Sequence, residues 1–523
     1  MIKLKINNTE IEVPSGTTIL QAARQLGFEI PTMCHHDDLE HFTSCMICLV
    51  KNNKNGKLIP SCSINTEDGM DITTIDDEIR EARKTGLELL LSDHVGDCEA
   101  PCTMACPAHM DIPTMNRLLA AGKFNEALKV VKKNIALPSV LGHICPAPCE
   151  GVCRRKPIDG AVSICLLKRY AGDFGQLEKK LTAPTGKKVA IIGAGPAGLA
   201  SAYHLQLKGI QCTIFEQSGQ LGGIVLNDVE NEKLPQKTLD REIEDIRHLG
   251  AEFKLGTFIG KEQYEKLLAE SDAVLIASGN ISEEQKNWGL PTHAKGFEAN
   301  EQTYQTANPK VFVAGSALRP AKLVIRLLAQ GKEAAVSIHQ FLNNRKVVGQ
   351  PMKFNSKFGK LIIPEYAIYL KESVEENRIE PSKGIEEGLT VEEVKSEAAR
   401  CLHCDCRKIT NCKLRDYSDE YGAVQQRFYY DERKPVRKIF SQGITQSETL
   451  TRDGIVYEPE KCIKCGICVR LTEKHQEKFG FTYIGRGFNV EIGIPFNESL
   501  NEGLKLVAEE VADACPTGAL AKK

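Results

Sequence analysis

The stretch Val189–Gly223, VAIIGAGPAGLASAYHLQLKGIQCTIFEQSGQLGG, constrains the chain more than any other. Val189–Ile192 reads as a buried parallel strand, Gly193-Ala194-Gly195-Pro196-Ala197-Gly198 opens a helix, and Glu216 follows a second strand over Cys212–Phe215. Gly193 allows a tight turn, Gly195 lets backbone approach a pyrophosphate at the helix N-terminus, and Gly198 permits close helix–strand packing. Glu216 stands where a ribose hydroxyl would be bound. A GxGxxG alone also occurs as a turn in a plain α/β core, but here strand, helix and acid are all in place.

With 523 residues and 42% apolar composition, the chain has material for roughly three to five domains and needs no cross-links to fold. Its 67 basic and 69 acidic residues nearly cancel, and no basic run suggests nucleic acid or an anionic membrane surface. MIKLKINNTEIEV alternates as a strand rather than as a signal peptide, and no stretch of 18 apolar residues could span a bilayer. A cytoplasmic location is therefore expected. In a reducing compartment, twenty cysteines at short CxxC spacings read as metal ligands rather than disulfides.

Residues 1–78 present Cys34, Cys45, Cys48 and Cys62 after an alternating segment and a short helix near Thr18–Leu26. PTMCHHDDL, SCMICLV and PSCSINTEDGM resemble the β-grasp [2Fe–2S] domain of the large iron–sulfur subunit of respiratory complex I and of many [FeFe] hydrogenases. Four thiolates suit two irons bridged by sulfides, with zinc as the rival. His35, His36 and His41 read as solvated loop residues.

Residues 79–183 read as helical, with amphipathic segments at Asp77–Leu91, Met115–Leu119 and Asn125–Asn134. CTMACPAHMDIP and HICPAPCEGVCRR resemble the N-terminal domain of the glutamate synthase small subunit and of dihydropyrimidine dehydrogenase, which builds two [4Fe–4S] clusters from interleaved motifs. The resemblance implies Cys98, Cys102 and Cys153 for one cluster and Cys106, Cys145 and Cys149 for the other. Each set lacks a ligand. His94, at an H-x3-C start like that of the complex I subunit, is the candidate for the first, although it could also be a helix-terminal histidine. The family's polar ligand of the second cluster falls near Lys168, whose ammonium has no lone pair. Cys165, one turn earlier, is the substitute, unless it is a core cysteine.

Residues 184–345 form the dinucleotide domain, with further elements expected at Thr238–Leu249, Ala251–Leu255, Lys261–Ser271, Asp272–Ala277 and Val311–Ala314. Gly222, Gly223 and Gly315 resemble flavin-contacting positions of disulfide-reductase-like flavoproteins, which favours FAD over NAD. Ser316 stands where these proteins usually have an aspartate, and Pro196 and Ala197 complete the cradle. The glutamate synthase resemblance continues through LPQKTLDREIEDIRHLGAEF and SDAVLIASG. The family would then insert an NADPH-binding fold. This chain passes directly from Gly279 to Val311 and carries no second GxGxxG.

Residues 346–440 run from a polar linker through a helix at Thr390–Arg400 into Cys401, Cys404, Cys406 and Cys412, a set for [4Fe–4S] or zinc. Residues 441–523 carry Cys462, Cys465, Cys468 and a remote Cys515-Pro516, a bacterial-ferredoxin half for one [4Fe–4S] cluster. KCIKCGICVR and ACPTGAL again resemble the complex I subunit. Only Cys212, on an apolar strand, is left unassigned.

The expected fold class is multidomain α/β and α+β: a β-grasp ferredoxin, a helical double-cluster domain, a Rossmann-like FAD domain and C-terminal ferredoxin-like segments. One FAD, one [2Fe–2S] and about four [4Fe–4S] centres imply an electron-relay subunit of an oxidoreductase complex. The resemblances imply as partners an NADH-oxidising flavoprotein or ferredoxin-like subunit and a terminal hydrogenase, formate dehydrogenase or ferredoxin, with bifurcation within reach. The alternatives are a self-contained ferredoxin-dependent reductase acting at its FAD, and a scaffold with a vestigial flavin fold.

Overall fold

The computed structural model describes residues 1–41, 43–178, 181–227, 233–371, 373–374, 376–429, 433–440 and 454–522. The boundary expected at 440/441 adjoins residues 441–453, which lie outside the described residues. The chain forms two compact units, one of residues 1–99, 353–371 and 404–523, the other of residues 100–352 and 372–403.

In the first unit, alternation at the N-terminus gives the hairpin Ile2–Ile6 and Thr9–Val13, whose Leu4, Ile6 and Val13 point inward. The five-stranded sheet runs Thr9–Val13, Ile2–Ile6, Asp71–Thr73, Leu49–Asn52, Lys57–Pro60. Only the pairing of Ile2–Ile6 with Asp71–Thr73 is parallel. Helix Ile19–Gln25 begins with a capping box in which Thr18 and Gln21 satisfy each other's backbone N–H groups. Helix Asp77–Ser92, capped by Asp76, buries Ile79, Leu87, Leu91 and Arg83. The Arg83 guanidinium donates to the Leu49 and Thr74 carbonyls and the Tyr421 hydroxyl, so its burial leaves no unmet donor face. Towards the C-terminus, Ile439–Phe440, Ile455–Tyr457 and Leu520–Lys522 form a small antiparallel sheet beside helices Ile467–Lys474 and Ala508–Ala514.

In the second unit, helices Ile112–Ala120, Phe124–Lys132, Pro138–Ile144 and Ile164–Phe174 precede a parallel sheet. Its order is Val311–Val313, Ala273–Ile276, Lys188–Ile192, Gln211–Phe215, Glu252–Lys254. All but the short outer Glu252–Lys254 have apolar runs buried in this layer, which explains why they do not alternate. Helix Pro196–Gln206 packs on helix Val324–Leu342, where a Cβ at Gly331 would stand 2.2 Å from the Ala197 carbonyl oxygen. The segment expected to replace the inserted domain folds as a 3-10 turn, Gln285–Asn287, and the hairpin Thr292–His293 with Gly296–Phe297. Trp288 seals it by stacking on Tyr264, with ring centroids 4.5 Å apart.

A buried ionic network anchors the end of helix Val391–Ala399. Arg400 bonds Glu397 at 2.7 Å and Asp159 at 2.9 Å, and Arg155 bonds Asp159. The Glu397 carboxylate also accepts the Ser163 and Ile379 N–H groups, both at 2.8 Å. Arg155, Glu397 and Arg400 have no solvent exposure, so removal of one partner strands a charge. Glu397→Ala is expected to cost about 3–5 kcal/mol, read as an earlier urea midpoint for this unit. An unshifted midpoint would show that the ions are not coupled.

Candidate cluster and dinucleotide sites

The residues expected to cradle a dinucleotide lie around the turn after strand Lys188–Ile192. Gly193 has φ +107°, and a Cβ on Gly198 would sit 2.0 Å from the Gly193 carbonyl oxygen, so strand and helix meet at a distance only glycine permits. Gly195 caps the helix and has open space where a side chain would project. Gly222 donates to the Ala194 carbonyl, Gly223 packs on Gly195, and Gly315 packs on Ala197. Pro196 is the first residue of the helix, and Ser316 lies in the turn Gly315–Ala317. The Glu216 carboxylate accepts the Ala194 and Ser218 N–H groups, both at 2.9 Å, which aims it along the turn. An open glycine turn at a helix N-terminus with an oriented carboxylate beside it fits a dinucleotide.

In the first unit, Cys34, Cys45, Cys48 and Cys62 are all buried and bond one another. Contacts from Cys45 and Cys62 hold the Cys34 thiol far below its ordinary value, and Cys62 draws Cys48 down to about 7. His35 differs from the loop reading, because its side chain is buried and paired with Asp37 at 2.9 Å. Cys462, Cys465, Cys468 and Cys515 line one cavity with Tyr457 and Thr517. Lys464 donates its N–H to the Cys462 sulfur at 3.3 Å. Burial, reinforced by Cys515, pushes the Cys462 thiol up to about 12.

A third set occupies the same unit and cuts across the two motifs from which it comes. The Cys406 N–H donates to the Cys98 carbonyl at 3.0 Å, and Ser356 donates to the Cys98 sulfur at 3.4 Å. Burial raises Cys98 to about 11 against the Ser356 N–H, with help from Cys406. Burial, then Cys406, raises Cys412 to about 12, and Cys98 also acts on it. His94 is 7% exposed, and its Nδ1 has no hydrogen-bond partner. Burial and the Lys461 ammonium lower its pKa to about 4, which keeps it neutral.

These three sets are in series. The Arg470 guanidinium spans the Cys34 carbonyl at 3.1 Å and the Cys465 carbonyl at 3.4 Å. The Lys413 N–H donates to the Pro516 carbonyl, joining the segment after Cys412 to the loop after Cys515. A Cβ on Gly518 would stand 2.2 Å from the Cys406 sulfur, and Lys461 lies on the same glycine.

In the second unit, Cys165 bonds both Cys145 and Cys149, and Lys168 brings its Nζ to 3.6 Å from the Cys165 sulfur. Cys145 pulls Cys165 down while Cys149 and burial push it up, leaving it at about 11. Lys168 is 3% exposed, and burial opposes its charge, but Cys165, Cys145, Cys149 and Cys106 together hold it protonated. Cys102 lies in helix Pro101–Ala105, and Cys153 follows helix Pro148–Gly151, which packs on it. Arg155, two residues beyond Cys153, donates to the Arg400 carbonyl beside Cys401. Cys404 is half-buried, and Cys212 lies in the sheet core with no solvent exposure.

Among the described residues, no three His, Cys, Asp or Glu side chains converge on a position for a single metal ion. The donor chemistry of the sets is that of iron–sulfur clusters, in which separate thiolates bind separate irons. Lys461 and Arg470 were not legible as site residues, since a basic residue near a cysteine motif has no diagnostic spacing.

The domain classes are those of iron–sulfur proteins built around a dinucleotide fold. Residues 1–77 match the 2Fe-2S iron-sulfur cluster binding domain, and residues 92–180 match dihydropyrimidine dehydrogenase domain II, 4Fe-4S cluster. Residues 191–242 match the NAD(P)-binding Rossmann-like domain, and residues 453–521 the ferredoxin-like domain of NADH-quinone oxidoreductase subunit 3. Among curated relatives, the NADPH-Fe(3+) oxidoreductase subunit beta of Geobacter sulfurreducens is 40% identical over 209 residues, 38% of this chain and 30% of that protein. The NADP(+)-dependent formate dehydrogenase subunit beta of Moorella thermoacetica is 37% identical over 34% of this chain and 29% of its own length. The glutamate synthase [NADPH] small chain of Escherichia coli is 35% identical over 39% of this chain and 45% of its own length. The matched stretch thus spans less than half the length of each of these relatives.

Because Gly198 has no room for a methyl group, Gly198→Ala is expected to destabilise the second unit by about 1–3 kcal/mol. Thermal unfolding checks this, and an unchanged melting temperature would mean that the turn can relax.

Proposed function

We propose that this chain is the electron-relay subunit of a cytoplasmic oxidoreductase complex, with nicotinamide chemistry carried out on a partner subunit. The observation that carries this reading is the serial arrangement of three buried or half-buried thiol sets in one unit, linked through Arg470, Lys413 and Gly518. No arrangement of a nucleophile with its base accounts for thiols buried in this way.

Cys34, Cys45, Cys48 and Cys62 would hold a [2Fe–2S] centre; Cys462, Cys465, Cys468 and Cys515 a [4Fe–4S] centre; and Cys106, Cys145, Cys149 and Cys165 another. His94, Cys98, Cys102, Cys153, Cys401, Cys404, Cys406 and Cys412 supply the donors for two more. Such centres supply one-electron transfer, tuned by ligand type and nearby charge. Lys168 places a buried ammonium against the thiols, and with a cluster bound there it would favour the more negative, reduced state. Arg470 fixes the spacing of the first two sets by gripping a carbonyl of each loop.

The cradle of Gly193, Gly195, Pro196, Ala197 and Gly198, closed by Gly222, Gly223, Gly315 and Ser316 and oriented by Glu216, would bind FAD. Bound there, FAD supplies the exchange between two-electron and one-electron chemistry. Two of the relatives are named as beta subunits, one of a formate dehydrogenase and one of an NADPH-Fe(3+) oxidoreductase. By extension, the partners here are an NADH-oxidising flavoprotein subunit and a terminal hydrogenase, formate dehydrogenase or ferredoxin.

Anaerobically purified protein should carry about eighteen iron atoms per chain, for one two-iron and four four-iron centres, together with one flavin. Cys165→Ser should lose or convert one centre and lower the iron content by up to about four atoms, whereas Cys212→Ser should leave iron unchanged. Iron-free protein, or rapid NADH or NADPH oxidation by the isolated chain, would overturn the proposal. Lys168→Met should lower the reduction potential of its centre without loss of iron, read by potentiometric EPR titration. An unmoved potential would remove the lysine from the argument.

A further inference from the structure

We propose that His94, Cys98, Cys406 and Cys412 together hold one four-iron centre, so that the motifs at 94–106 and 401–412 are shared between centres. The inference rests on the iron–sulfur reading given above and decides which donors belong together. Local spacing would close one cluster within Cys401–Cys412 and put Cys98 with the cysteines that follow it. The structure divides these motifs differently.

Cys406 is tied to Cys98 by a backbone hydrogen bond of 3.0 Å, and Arg415, in the helix that starts directly after Cys412, donates to Glu99 beside Cys98 at 2.5 Å and to the Ile409 carbonyl at 3.1 Å. All three thiols are buried. Ser356 donates to the Cys98 sulfur, the kind of N–H···S contact that stabilises a cluster thiolate. The fourth donor is identified by its incompleteness. His94 is buried, and its Nδ1 has no hydrogen-bond partner. An unpaired imidazole nitrogen in a dry site is costly unless it meets a donor or a metal.

Lys461 connects the loop that carries the histidine to the neighbourhood of the Cys406 sulfur. A Cβ on Gly96 would stand 2.5 Å from the Lys461 Cε, so the 94–98 loop wraps this side chain. The same lysine lies against Gly518, which abuts the Cys406 sulfur. In the other unit, Arg155 draws the Cys153 segment towards the residue before Cys401, leaving Cys401 to a different centre.

The test is EPR of the dithionite-reduced full chain, with pulsed detection of 14N coupling. Unmodified protein should show one [4Fe–4S] signal with strong 14N coupling, and His94→Cys, which retains four donors, should abolish the coupling while keeping the signal. Cys98→Ser and Cys406→Ser should alter that same signal, whereas Cys401→Ser should alter a different one. If Cys401→Ser and Cys406→Ser change one signal together, or if no 14N coupling is present, the grouping is overturned. Failure of the relay reading itself would look different, as a complete absence of cluster signals from the unmodified protein.

Discussion

A buried thiol is inexpensive and a buried thiolate is not, and the placement of basic side chains in this protein follows from that difference. Lys168 and Lys461 are nearly inaccessible to solvent, and each ammonium stands beside a group of sulfurs. Lys461 is further held by Glu458 at 2.7 Å, and Lys168 has the Cys165 sulfur as its neighbour at 3.6 Å. Without clustered negative charge nearby, ammonium groups at such depth would be expelled or neutralised. Cation and thiol set therefore require each other, and the surrounding helices pack around that pairing.

The same constraint accounts for the chain path through the first unit. Three segments distant in sequence, 1–99, 353–371 and 404–523, fold together. The groups that join them are polar and specific: Ser356 to Cys98, Cys406 to Cys98, Arg415 to Glu99, and Arg470 to the loops of two cysteine sets. Apolar burial supplies cohesion through residues such as Leu87, Leu471 and Leu504. The bonds at the thiols determine the register, and the proposed electron relay would depend on that register.

The second unit joins a glycine turn to a helical layer. Gly193 and Gly198 bring strand and helix into contact, Gly331 admits the long helix Val324–Leu342 against Ala197, and Glu242 receives the Ser139 and Val140 N–H groups from the helical segment. A dinucleotide held at Gly195 would thus rest on a rigid support. Tyr264, Trp288 and Phe297 stack on one another in the segment where the resemblance to the glutamate synthase small subunit leads one to expect a further nucleotide fold.

Periodicity and local spacing were sufficient for much of this. The parallel strands, the helix after Gly195 and the β-grasp hairpin are encoded by neighbours in the chain, and the cysteines at 34–62 and 462–468 by their short spacings, with the remote Cys515-Pro516 read from its motif. The proximity of Cys165 to Cys145 and Cys149 was legible only through the glutamate synthase resemblance, which implies a ligand near Lys168, one helical turn away. The division of Cys98, Cys406 and Cys412 was not, since spacing alone groups each cysteine with its nearest in sequence. Lys461 and Arg470 likewise acquire their roles only from what folding brings to them. Those assignments were decided by tertiary structure, because buried charge must be balanced in space, and partners in space need not be partners along the chain.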